Sequence, residues 1–264
     1  MKENDYKMDR LDKIIASQTG LSRKETRLAI YRGDILVNNA VTRLIDMKVD
    51  PALDEITFRG EKISYQKFLY IMMNKPQGVV SATVDSREKT AISLLPDELS
   101  RRGLFPAGRL DKDTTGLLII TNDGGFAHRM LAPGKGIFKT YIAELDGPLP
   151  VDAIKRFAEG ILLENGEQCL PAEVIVNPQG TMHNAQLESR PPAHFLDDIK
   201  YKTHVQVKIQ EGKYHQVKRM FAACETHVVS LKRTAIGGLR LDGNLGYGEY
   251  RMMDGDEIQL AVSS

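Results

Sequence analysis

One carboxylate in this chain stands where it could do chemistry. Asp111 lies in the polar start of the stretch Gly108-Arg-Leu-Asp-Lys-Asp-Thr-Thr-Gly-Leu-Leu-Ile-Ile-Thr-Asn-Asp-Gly124, two residues after Arg109. A carboxylate in such a loop can act as a nucleophile or exchange a proton, and Arg109 could reach the same pocket. Two plainer readings compete. A loop aspartate most often caps a turn, and Asp111 or Asp113 can do so. The spacing Asp111-x-Asp113-x-Thr115-Gly116 also imitates the first half of a calcium loop, which needs a bidentate Glu at its twelfth position and flanking helices. That position is Asn122, in a segment of strand and turn character, so calcium is rejected. No second acid is obviously paired with Asp111. On pattern alone, turn capping is the stronger reading.

Any catalytic role requires a scaffold that fixes the loop. The run Leu117-Leu118-Ile119-Ile120 is short and rich in branched residues, and Asn122-Asp123-Gly124 closes it. It reads as a buried strand ending in a turn, and loops held by such strands are where catalytic groups are displayed. Residues 70–75, 138–145, 172–176 and 203–209 read as further strands. Helices are expected over 90–95, 126–131 and 151–158, with residues 226–241 and 257–260 completing a sheet. Asn165-Gly166 is a hairpin signal between residues 161–163 and the strand at 172–176.

Composition bounds the class. The 264 residues are 42% hydrophobic and 27% charged, with a formal net charge of +1. That is an ordinary globular balance, and a nucleic-acid binder with it must gather its basic residues on one face. The polar start and the lack of a long apolar run argue against a signal peptide or membrane span. Cys169 and Cys224 read as reduced thiols of a cytoplasmic protein. The six histidines have no metal-ligand spacing.

The motif Gly-Arg-Leu-Asp-x-x-Thr-x-Gly-Leu-Leu, with Asn-Asp-Gly after the strand, resembles the catalytic motif of RNA pseudouridine synthases, more narrowly the branch that modifies ribosomal RNA. Two other stretches agree. Asn74-Lys75-Pro76-x-Gly78 resembles the first motif of that fold; Lys75 reads equally as an RNA contact or a solvated lysine. Glu211-Gly-Lys-Tyr-His-Gln-Val-Lys-Arg-Met-Phe-Ala-Ala-Cys224 resembles the turn-to-helix element that carries the basic active-site residue, here Lys218. Val217, Met220, Phe221 and Cys224 form that helix's apolar stripe. His215 is better explained by the turn than by acid–base chemistry.

The resemblance implies the roles. Asp111 is the catalytic acid/base or nucleophile. Tyr141, in Lys139-Thr140-Tyr141, stacks on the target base; without the resemblance it is a half-buried core tyrosine. Lys218 pairs with Asp111, and a nearby cation favours a charged carboxylate. Arg109 fills the space left by a flipped base or binds phosphate, and Arg219 is a further RNA contact. No cofactor and no metal are implied. The small-subunit branch fits best, with one uridine of 16S rRNA, of the uridine-516 type, in a partly assembled subunit as substrate for a monomeric, non-membrane enzyme. A 23S rRNA enzyme, a non-catalytic rRNA-binding assembly factor and a base-excising glycosidase are the alternatives.

Residues 1–60 read as a unit of their own. Leu11, Ile14 and Ile15 form one helical stripe; Ser22 and Glu25 then make a capping box for a second helix that carries Leu28 inward and runs to Gly33. Residues 23–38 resemble the signature of the small αL, S4-like RNA-binding module, with Arg23, Lys24 and Arg27 as phosphate contacts. Together these resemblances imply an α+β chain. An S4-like module (1–60) and a linker (61–67) precede a catalytic domain (68–264) built on a mixed, mainly antiparallel β-sheet with flanking helices. Residues 180–202 read in part as a surface insertion.

Overall fold

The computed structural model describes residues 8–176 and 203–263, so the expected insertion at 180–202 lies outside the described residues. The chain begins with β1 (Asp9–Arg10), α1 (Leu11–Thr19), α2 (Arg23–Arg32), β2 (Ile35–Val37), β3 (Ala40–Val41), β4 (Lys48–Val49), β5 (Ile56–Phe58) and β6 (Glu61–Lys62). The Ser22 side chain accepts from Glu25 N while Glu25 accepts from Ser22 N, which fixes where α2 starts. That start sets the helix phase. Thr26, Ala29 and Ile30 face inward, and Leu28 is exposed instead of buried. Ile30 joins Leu11, Ile14, Ile15, Ile35, Val37, Val49 and Ile56 in a small separate core, against which Phe58, Ile63 and Tyr65 also pack.

The remainder comprises β7 (Tyr70–Lys75), α3 (Asp97–Ser100), β8 (Phe105–Ala107), β9 (Thr115–Thr121), α4 (Gly124–Leu131), β10 (Lys139–Leu145), α5 (Ala153–Glu159), β11 (Glu173–Val176), β12 (Thr203–Ile209), α6 (Gln216–Ala222), β13 (Val228–Ile236), β14 (Leu239–Arg240), β15 (Tyr250–Met252) and α7 (Gly255–Leu260). Among the described residues the strands of this part form one mixed sheet in the order β11-β12-β10-β13-β9-β7-β15, with β14 on β13 and β8 on β9. All pairs are antiparallel except β9 with β13. Strand β9 is buried on both faces. Leu118 and Ile120 join the core that contains Phe157 of α5 and Phe221 of α6. Leu117 and Ile119 join the core that contains Phe126 of α4. This two-sided burial explains why the sequence shows an unbroken apolar run.

Three expected elements differ. The helix expected over 90–95 is a single 3-10 turn, Ile92–Leu94. Residues 257–260 belong to α7, because Asp254 and Glu257 form a second capping box and turn the chain into a helix. The Asn165-Gly166 turn closes only a single bridge, Leu162 with Gln168, while β11 pairs with β12. Cys169 and Cys224 are free and buried.

The parallel contact between β9 and β13 hinges on Gly116, opposite Arg233. Gly116 has φ +99°, and a Cβ there would lie 2.2 Å from the Arg233 carbonyl oxygen. Neither the dihedral nor the approach admits a side chain. Gly116→Ala is expected to cost at least about 2 kcal/mol of folding stability, read from chemical denaturation. A wild-type midpoint would mean that the two strands part without penalty.

Candidate active site

The loop that carries Asp111 joins β8 to β9 and is braced from beneath. Ser81 Oγ donates to the Leu110 carbonyl and accepts from the Leu110 N–H, both at 3.0 Å, and Gly78 N–H donates to the Lys112 carbonyl at 2.8 Å. The deepest brace is Lys75 at the end of β7. Its side chain is fully buried, and its ammonium donates to the carbonyls of Thr114 (2.8 Å), Pro76 (3.0 Å) and Lys112 (3.4 Å). Lys75 is therefore neither an RNA contact nor a solvated lysine. A cation with three donors satisfies carbonyls that the irregular loop leaves without strand partners. Burial pulls its pKa down to about 8, although the carboxylates of Asp113 and Asp111 act the other way.

Asp111 does not cap the turn. The turn's bond runs from Thr114 N–H to the main-chain carbonyl of Asp111, and among the described residues its carboxylate accepts no backbone N–H. The carboxylate faces α6 and the turn before it: Oδ2 lies 3.6 Å from Lys218 Nζ, and Oδ1 lies 3.5 Å from His215 Nε2. Lys218 is shared. Its stronger partner is Asp113, at 2.5 Å, and this hydrogen bond holds the Asp113 carboxyl below its ordinary pKa. The absence of a second acid, read from the sequence, is thus corrected. Asp113 meets the same lysine from across the turn.

Tyr141 on β10 is buried, and its ring lines one cleft with Asp111, His215, Val217 and Leu231. Arg109 lies exposed on the rim of that cleft. The fold thus brings Asp111, Tyr141, Lys218 and Arg109 together from β9's loop, β10 and α6. Arg219 is spent on protein contacts, with Nη1 3.1 Å from Glu167 and 3.3 Å from the Tyr214 carbonyl. Arg23, Lys24 and Arg27 are exposed on α2, outside the cleft.

Sequence reasoning passed over His215 as a turn residue, and it is one: it has φ 48° and ψ 34°. Its ring nonetheless points at Asp111. Arg233 was also missed. Buried on β13, it donates from Nε to the Leu117 carbonyl at 2.8 Å, where β9 begins its pairing. A charged residue inside an alternating strand was the available signal.

A β-sheet of this order, with one carboxylate held between a lysine and a histidine above a buried tyrosine, defines a class. Residues 69–223 match the RNA pseudouridylate synthase family, and the chain belongs to it. Its activity is accordingly the isomerisation of uridine in RNA to pseudouridine. The chain is 40% identical to the RNA pseudouridine synthase YtzG of Bacillus subtilis (strain 168), over 95% of this chain and 97% of that one. It is 36% identical to ribosomal small subunit pseudouridine synthase A of Escherichia coli (strain K12), over 96% and 100%. A crystal structure of a pseudouridylate synthase superimposes with a TM-score of 0.61 at 35% identity, covering 96% of this chain and 99% of that one.

Burial of Lys75 has a thermodynamic consequence with a definite sign. Below about pH 8 the ammonium is charged in both folded and unfolded chains. Between about 8 and the ordinary lysine value of 10.5 the folded protein has shed the proton that the unfolded chain still holds. Stability rises with pH wherever the unfolded state binds more protons. The stability of the wild type relative to Lys75→Met, which has no proton to lose, is expected to rise across this window in denaturant titrations. A difference flat in pH would mean that the ammonium is solvated.

Proposed function

We propose that the chain isomerises one uridine of 16S ribosomal RNA, the uridine-516 type of site, in a partly assembled small subunit. The carrying observation is the Asp111 carboxylate held by Lys218 and His215 over the cleft that Tyr141 lines. Similarity over nearly the whole length to enzymes named ribosomal small subunit pseudouridine synthase A supports the choice of RNA. In the reaction the N1–C1′ bond of uridine breaks, the uracil turns, a C5–C1′ bond forms, the C5 proton leaves and N1 takes up a proton. Nothing is gained or lost overall, so no group donor or redox partner is needed.

Among the described residues Asp111 is the one carboxylate that lines the cleft, where it serves as nucleophile or proton acceptor while Lys218 stabilises its charge. Tyr141 offers the face on which a uracil stacks. A base inside a helix is out of reach, so the uridine is flipped into the cleft. Arg109, on the rim, fills the vacated space or binds phosphate.

Residues 1–60 act as an S4-like RNA-docking arm. A concavity of about 720 Å³ lies between this arm and α3. Arg10, Lys13, Arg23 and Arg27 line it from the arm, and Arg101 and Arg102 line it from the other side. Its one acidic lining residue, Asp12, is bound by Arg10. A chain of near-zero net charge has gathered cations at one seam, as a phosphate-backbone site requires.

Asp111→Asn keeps the main-chain turn bond, so the loop survives, but the amide can neither attack as an anion nor take up a proton. Binding to small-subunit rRNA is expected to persist while pseudouridine formation disappears. Substantial turnover by this variant would sink the catalytic assignment, and release of free uracil by the wild type would mark a glycosidase. Replacing Arg23, Lys24 and Arg27 together by Ala tests the arm. Each lost phosphate contact flattens the log–log salt dependence of binding by roughly 0.7–0.9, so a loss of about 2–3 is expected. An unchanged slope would mean that α2 touches no phosphate.

A further inference from the structure

Tyr214 is 75% exposed although it adjoins the cleft residue His215. A tyrosine that served packing would bury its ring; this one buries a single face. Its ring lies flat on that of His215, with centroids 3.8 Å apart and planes 18° apart. His215 in turn presents Nε2 to Asp111 at 3.5 Å. Two stacked rings thus lead from the catalytic carboxylate out to solvent.

The backbone adds an independent observation. His215 occupies the left-handed region as the residue before α6, and its side chain makes no capping bond. Helix starts are normally extended there and capped by Ser, Thr, Asp or Asn. Left-handed backbone is strained for a residue with a Cβ, and such strain concentrates at functional sites. The turn is held firm on both sides. Lys213 donates to the Gln168 carbonyl, and Arg219 donates to the carbonyl of Tyr214 itself. The result is a rigid aromatic platform with one face open.

We propose that Tyr214, backed by His215, is a stacking subsite for an unpaired nucleobase adjacent to the uridine that enters the cleft. The inference rests on the proposed action on 16S rRNA and adds a contact outside the reacting nucleotide. Flipping one base leaves its neighbours partly unstacked, and an exposed aromatic face recovers that stacking without reading sequence. Occupancy of the subsite also loads the imidazole against Asp111. An ordered flanking base therefore steadies the catalytic carboxylate.

The test is a mutant cycle on binding, with turnover measured alongside. A 16S rRNA fragment with the candidate uridine is prepared intact and with an abasic nucleotide on its 5′ or 3′ side. Wild type, Tyr214→Ala and Tyr214→Phe are titrated with each. Tyr214→Ala is expected to weaken binding of the intact fragment about tenfold, with Tyr214→Phe like wild type. For one of the abasic fragments the wild type weakens equally, and the Ala variant shows no further loss. Unchanged affinity of Tyr214→Ala, or losses that multiply for both abasic fragments, would overturn the subsite. Wild type that completes the cycle but forms no pseudouridine overturns the 16S reading alone. Wild type that does not bind the fragment overturns both.

Discussion

Everything at the catalytic end depends on one buried ammonium. Lys75 closes β7 and gathers the carbonyls of Pro76, Lys112 and Thr114 around a single cation. A backbone carbonyl without a partner in the interior costs about as much as a lost hydrogen bond, and outside the regular ladder this loop finds only scattered N–H partners, such as Gly78 for the Lys112 carbonyl. A buried charge is tolerated because it replaces several neutral donors at once. The loop is thereby fixed at its base, and Asp111 can face α6 without having to hold the turn.

The same economy governs the far end of the molecule. A Cβ on Gly20 would lie 2.8 Å from the Cα of Glu98, so α1 ends directly against α3. Arg101 donates to the Gly20 carbonyl, and Arg102 donates to both Gln18 and the Gln66 carbonyl. The small N-terminal core is its own, yet its seat is specific. Guanidiniums that fasten the two parts also line the basic concavity, so one set of side chains serves both attachment and charge.

Much of this was legible in the sequence because the signals are local. The capping box at Ser22 and Glu25, the apolar run of β9 and the alternation of β10 and β12 are each set by a few neighbouring residues. The turn at Asp111 was legible as a turn; which atom makes its bond was not, since main chain and carboxylate give the same pattern. Lys75 was misread because a lysine is exposed far more often than buried, and the carbonyls it satisfies lie up to 39 residues away. Leu28 failed for want of helix phase, and residues 257–260 because an apolar pair in so short a stretch does not separate helix from strand. His215 was legible as a turn residue, but nothing in the sequence showed that its ring faces Asp111. Its importance comes from an unusual backbone that aims the ring.

The parallel junction of β9 with β13 has a consequence for the order in which the protein becomes competent. Asp113 and Lys218, which meet across the site, are 105 residues apart. A parallel pair cannot form by a simple hairpin and must wait for the whole intervening crossover. As the chain leaves the ribosome, the N-terminal unit and the antiparallel β7–β9 pair have all their residues early. The carboxylate meets its cation only after α6 has emerged, and β13 follows it. With the roles proposed for Asp111 and Lys218, catalytic competence is among the last properties this chain acquires, and its appearance reports that the long-range sheet has closed.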